Sequence, residues 1–148
     1  MQTFLPFADF NQSAKVLDRM RLGKQRVEGL QIYNALTGQS KGWVNHPATK
    51  MWRGYELALV EYTLIMCNEW RSRGYNDNVT ATLLGKLDFE SVNLYLLALI
   101  GDRKYAMPHW LGDEAFHASH RSALMRKLPD FYNQYGWHDD MEEYVWPV

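Results

Sequence analysis

The 148-residue chain has one cysteine, Cys67, which excludes an internal disulfide and leaves no cysteine pair to open a zinc site. Such cysteine usage fits a reducing compartment, and a cytoplasmic location is expected. No apolar run approaches the roughly 18 residues of a membrane span. The longest, around Val92–Ile100, is interrupted by Asn93. Pro6, Asp9 and Asn11 stand where an export signal would need basic residues and a long apolar core, so neither export nor membrane association is expected. The sequence has no P-loop, no dinucleotide-binding glycine fingerprint, no Gly-x-Ser-x-Gly elbow and no His-Glu-x-x-His pair. Nucleoside-triphosphate hydrolysis and serine or zinc protease chemistry are therefore without support. Internal repeats and low-complexity linkers are also absent.

What is present is an apolar and aromatic chain: 47% of residues are hydrophobic and 14% aromatic, which excludes global disorder and supplies a core. The length suits one domain spanning residues 1–148. The net charge of −1 hides an asymmetry. All sixteen Lys and Arg lie at or before Lys127, against twelve acids, so the body carries +4. The aromatic tail from about residue 129 to 148 holds five acids and no base. A basic body fits an anionic partner such as nucleic acid, and a solvated surface with an acidic tail is the plainer alternative.

Periodicity predicts an all-α bundle of three to five helices. The first runs from about Ala14 to Leu36, with Ser13 as N-cap, Gly38 as stop and an apolar face of Val16, Met20, Gly23, Val27 and Leu30. Gly23 on that face allows close backbone packing. A second runs from Ala48 to Arg73 behind Pro47, burying Met51, Tyr55, Leu59, Tyr62 and Met66. A third covers Phe89–Ile100, with Asp88 as N-cap and Gly101 as stop. A fourth covers Glu114–Lys127, with Asp113 as N-cap and Pro129 just beyond.

Three segments carry candidate chemistry. The first helix sets Lys15, Arg19, Arg21, Lys24 and Arg26 against the lone acid Asp18, with Glu28 following. Cations that grip phosphates beside a carboxylate suit work on a nucleic-acid sugar, although a solvent-exposed Lys24–Glu28 ion pair is the plainer reading. Asn45 and His46, just before Pro47, are placed to meet an anion or simply to cap a helix. His117 and His120 share a helix face. With Arg121, Arg126 and Lys127 they form a phosphate-binding edge, with Asp113 or Glu114 they make a weak metal-ligand set, and otherwise they are a polar face. The tail aromatics Phe131, Tyr132, Tyr135, Trp137, Tyr144 and Trp146 read as packing rather than base stacking.

With these residues in view, the chain resembles the pyrimidine-dimer DNA glycosylases, the endonuclease V-like family. Leu17-Asp18, Leu22 and Glu28-Gly29-Leu30 follow the family spacing, in which two leucines five apart precede the catalytic glutamate by eleven and six residues. Gly42 to Pro47 is similar to a glycine-aromatic…Asn-His-Pro stretch of bacterial relatives. Tyr55 to Tyr75 resembles their long helix, and Asp113 to Gly136 resembles their last helix and following turn. Residues 76–108 have no clear counterpart.

The resemblance implies a compact helical enzyme with glycosylase and associated abasic-site lyase activity on damaged pyrimidines in duplex DNA. It implies Glu28 as the catalytic carboxylate and the chain's own α-amine as the nucleophile. Contacts to DNA run through Arg21, Lys24 and Arg26. No cofactor is required, and the enzyme is expected to act as a monomer. Removal of an initiator methionine needs a small second residue, and Gln2 is long, so Met1 is expected to be retained and to supply the amine. An α-amine is a suitable nucleophile near neutral pH because a useful fraction is unprotonated. Two rivals share the residues: a non-catalytic nucleic-acid-binding module, and a metal hydrolase built on His117 and His120.

Overall fold

The computed structural model describes all 148 residues, and its regular secondary structure is entirely helical, with no paired strand. Eight helices run in chain order: α1 (Phe10–Val16), α2 (Arg19–Leu36), α3 (Pro47–Lys50), α4 (Glu56–Ser72), α5 (Val79–Leu84), α6 (Phe89–Leu99), α7 (Glu114–Lys127) and α8 (Pro129–Tyr132). The count exceeds three to five because each of the two long helices expected from periodicity is divided, and because the short α5 and α8 are not among those expected.

The first division falls at Leu17–Asp18, both in extended backbone. The Tyr132 hydroxyl holds it there, accepting from the Asp18 amide at 3.0 Å and donating to Asp18 Oδ1 at 2.5 Å. Asp9, not Ser13, caps α1, and Ser13 is buried inside it. The second division is the turn from Met51 to Tyr55, closed by Gly54 at φ 86°. α6 and α7 begin at Asp88 and Asp113, whose carboxylates accept from Ser91 and Ala115 amides.

α2 and α4 form the central pair. They meet at Gly29, where an added Cβ would lie 2.2 Å from Thr63 Oγ1. The close approach expected at Gly23 is instead a contact with the Trp70 ring. The buried side of α2 is Leu22, Gln25, Gly29, Ile32 and Tyr33. It is not the stripe through Met20 and Val27, which are 69% and 43% exposed. Apolarity alone misplaces that face, because the polar Gln25 is buried and its amide is in use.

The core around this pair is aromatic. Trp52, Tyr62, Phe116 and Tyr132 are fully buried, and Trp52 meets Trp110 edge-on at 5.0 Å. Burial of such side chains contributes roughly 1.5–3 kcal/mol each. α6 contributes no buried residue. The loop that follows it is fixed to α4 by Arg103, which grips the Glu61 carboxylate bidentately.

Candidate active site

The first five residues, an irregular N-terminal strand paired with no sheet, run through the protein rather than over it. Gln2, Thr3, Phe4 and Leu5 are all buried. A buried strand without a sheet needs other partners for its backbone, and they come from α2, α4 and α7. The Gln25 Oε1 of α2 accepts from the Phe4 amide at 2.8 Å. The Tyr62 hydroxyl of α4 lies 2.8 Å from both the Phe4 carbonyl and Gln25 Oε1. His120 Nδ1 accepts from the Leu5 amide, and His117 Nδ1 donates to the Leu5 carbonyl, both at 2.8 Å. Arg121 donates to the Pro6 carbonyl, and Trp52 to the Thr3 hydroxyl.

This lock corrects the expected phosphate-binding edge on α7. His117, His120 and Arg121 are 2%, 0% and 8% exposed, and they serve the N-terminal strand. Burial pushes His117 below the usual histidine range, and burial with His117 alongside pushes His120 down to about 3. Both rings are thus neutral. His117 Nε2 accepts from the Gly112 amide, so both of its nitrogens are committed. The His-based metal hydrolase loses its ligands, and no group of three His, Cys, Asp or Glu is spaced to hold a metal. Arg121 also pairs with Glu114 and Asp139.

The strand delivers the chain's amino end to a cleft of about 300 Å³. Met1 and Gln2 line it with Arg21, Lys24 and Glu28 of α2, Lys127 of α7 and Tyr144 of the tail. The Gln2 amide donates to Glu28 Oε2 at 3.3 Å, and Gln25 Nε2 donates to the same oxygen at 3.4 Å. Two residues 26 positions apart are thereby joined at the carboxylate. Lys24 makes no ion pair with Glu28, and the only ion pair of Arg21 is with Asp18, at 3.2 Å.

Arg26 does not belong to this face. Its guanidinium lies 4.5 Å from the Trp70 ring and pairs with the wholly buried Asp77 at 2.5 Å. Burial alone would raise the Asp77 carboxyl, but hydrogen bonds from Thr80 and Arg26 outweigh it and hold the group down at about 2. The helical turn that puts Arg21 and Glu28 on the cleft rotates Arg26 toward α5. Arg19 and Lys127 are exposed, and Arg126, also exposed, donates to the Met141 carbonyl.

The segment before α3 connects to the cleft through the tail, His46 packing on Trp146 and Trp146 on the cleft residue Tyr144. His46 caps α3, its Nδ1 accepting from the Ala48 amide at 3.0 Å. Burial lowers its pKa, the charge of the chain's amino terminus lowers it further, and the Glu28 charge opposes both. Asn45 is exposed beside His46.

Residues that sequence reasoning passed over are Gln25, Tyr62 and Tyr144. Gln25 sits one turn before Glu28, and that spacing was the only available signal. The tail reaches the cleft because Ser122 and Ser119 accept from the Met141 and Val145 amides, which ties it along α7 and presents Tyr144.

No curated protein and no solved structure matches the chain. A family model does match, over residues 1–83, more than half of the sequence, and its description is pyrimidine dimer DNA glycosylase. The matched part holds the buried N-terminal strand, Glu28 and its Gln25 partner, and the His46 cap. On that match the chain belongs to the pyrimidine dimer DNA glycosylase family, enzymes of DNA repair.

Proposed function

We propose that the protein excises a damaged pyrimidine from duplex DNA and then cleaves the strand as an abasic-site lyase, with the Met1 α-amine as nucleophile and Glu28 as the catalytic carboxylate. The observation that carries this reading is the contact between the Gln2 amide and Glu28 at 3.3 Å, made by a buried segment held along its length by Gln25, Tyr62, His117 and His120, all buried. A nucleophile on a chain terminus is useful only if the terminus is fixed, because orientation supplies much of the rate. The lock of Gln25, Tyr62, His117, His120 and Arg121 supplies that fixity.

The steps balance without a cofactor. The neutral amine attacks C1′ as the glycosidic bond breaks, and the bonding pair leaves with the base. Negative charge at Glu28 stabilises the oxocarbenium character of the transition state. Loss of a proton and opening of the sugar ring give an imine. Glu28 then takes the C2′ proton, and the electrons of that C–H bond expel the 3′ phosphate.

Duplex binding falls to cations on the cleft rim, Lys24 and Lys127 exposed and Arg21 half-buried beside Asp18. Arg21, Lys24 and Lys127 hold phosphates nearest the amine, and Arg19 and Asn45 extend the contact on either side. Extruding a nucleotide costs about a few kcal/mol, least where damage has already weakened stacking. The protein acts as a monomer in this reading.

Borohydride reduction during incubation with abasic duplex tests the proposal. A covalent protein–DNA adduct is expected, and it should vanish when the α-amine is acetylated. Retention of DNA without any adduct would instead favour the non-catalytic binding module.

A further inference from the structure

Trp43 is the one residue other than glycine whose backbone φ is positive, at 68°. A bulky side chain in that region is strained, and strain of this kind persists only where the surroundings hold it. Here they do: the Trp43 carbonyl accepts from the His46 amide at 3.1 Å, and the Val44 carbonyl accepts from Arg53 at 3.3 Å. Yet the indole gains little burial from this, since Trp43 is 51% exposed. An exposed large aromatic in a strained turn is doubly unfavourable for folding alone.

Its position gives it a use. The indole stands edge-on to His46, with ring centroids 5.6 Å apart and planes at 72°. His46 in turn meets Trp146 edge-on, with ring centroids 5.8 Å apart. Trp146 meets Tyr144, which lines the cleft, at 5.5 Å, so Trp43 stands at the solvent end of a row of rings that runs through His46 and Trp146 to the cleft. A base that leaves the duplex loses its stacking partners, and an indole face replaces them whatever the base identity.

We propose that Trp43 is the stacking residue for the nucleobase that leaves the helix at the target site, an assignment that rests on the glycosylase reading above. It holds the extruded base beside the cleft while Met1 reaches C1′, and it takes no part in the bond-making steps.

Two variants separate this from a structural role. Trp43→Ala removes the ring, and Trp43→Gly removes it while relieving the positive φ. Trp43→Gly is expected to be at least as stable as the parent to thermal unfolding. Both should lower kcat/KM for excision from a dimer-containing duplex by about 10- to 100-fold, with Trp43→Phe restoring most of the loss. Borohydride trapping on a single-stranded oligonucleotide with a preformed abasic site needs no base extrusion, and both variants should trap as the parent does. Excision at the parental rate in Trp43→Ala and Trp43→Gly would overturn the proposal. So would an equal loss of excision and of single-strand trapping, since the residue would then support the amine and not the base. Failure of the parent protein itself to trap would overturn the underlying reading, visible without any variant.

Discussion

Gln25 and Glu28, one helical turn apart on α2, share a hydrogen bond of 3.4 Å from the Gln25 amide nitrogen to the Glu28 carboxylate. The other end of the same Gln25 side chain accepts from the Phe4 amide at 2.8 Å. One neutral side chain therefore sets both the height of the N-terminal strand and the direction of the carboxylate. Its own burial, at 1% exposed, is possible because both ends are satisfied. Gln25→Leu should strand the Phe4 amide and cost about 1–3 kcal/mol in urea unfolding. Strand cleavage should fall well beyond the loss of folded protein, while duplex binding at low temperature is kept. Cleavage at the parental rate would remove Gln25 from the site.

Glu28→Gln keeps the size of the side chain and removes its charge. Loss of strand cleavage is expected, by about two or more orders of magnitude if the charge stabilises the transition state as oxyanion donors do elsewhere. DNA binding measured by gel shift should be retained. Parental cleavage rates would show that Glu28 serves only to anchor the Gln2 amide.

The basic residues of α2 divide by direction, and salt dependence reads the division. Arg21→Ala, Lys24→Ala and Lys127→Ala should each flatten the slope of log K against log salt by about one unit. Arg26→Ala should leave the slope alone and instead destabilise the fold by about 2–4 kcal/mol, because it leaves the buried Asp77 with fewer partners. A flattened slope for Arg26→Ala would return that residue to the DNA interface.

Stability should fall with acid before any carboxylate titrates. The folded-state pKa of His120 is about 3, against an ordinary value of 6.5, so the unfolded chain binds the proton first. Below pH 6.5 protonation draws the chain toward unfolding, at up to about 1.4 kcal/mol per pH unit. His117 and His46, both shifted down, act in the same direction. Thermal unfolding between pH 7.5 and 4.5 should show the decline. His120→Asn, which keeps an acceptor for the Leu5 amide, should start lower and decline less steeply. An identical slope in the variant would mean that His120 is not the buried titrating group.

Local signals were legible in the sequence, and distant ones were not. Asp88 and Asp113 announce α6 and α7 because a cap needs only the next three residues. The break before α2 depends on the hydroxyl of Tyr132, 114 positions away, and no local pattern encodes it. The same holds for His117 and His120. Their shared face is evident from spacing, but their partner is the backbone of Leu5, which carries no side-chain signature. Glu28 came through the family resemblance. Gln25 had no such signal, since a neutral amide on a helix looks like solvent-facing surface until its partners are known.

The central claim is that the amine at the buried strand's outer end makes the covalent bond. Glutamine at a free terminus cyclises readily and would lose its amine, so retention of Met1 matters to the chemistry as well as to the geometry. The most direct measurement is mass mapping of the borohydride-trapped adduct formed by the untagged protein on abasic duplex. The account predicts a single modified peptide beginning at Met1, carrying the reduced sugar on its α-nitrogen. An adduct on Lys24 or Lys127, the other amines of the cleft, or on any other lysine, would contradict it.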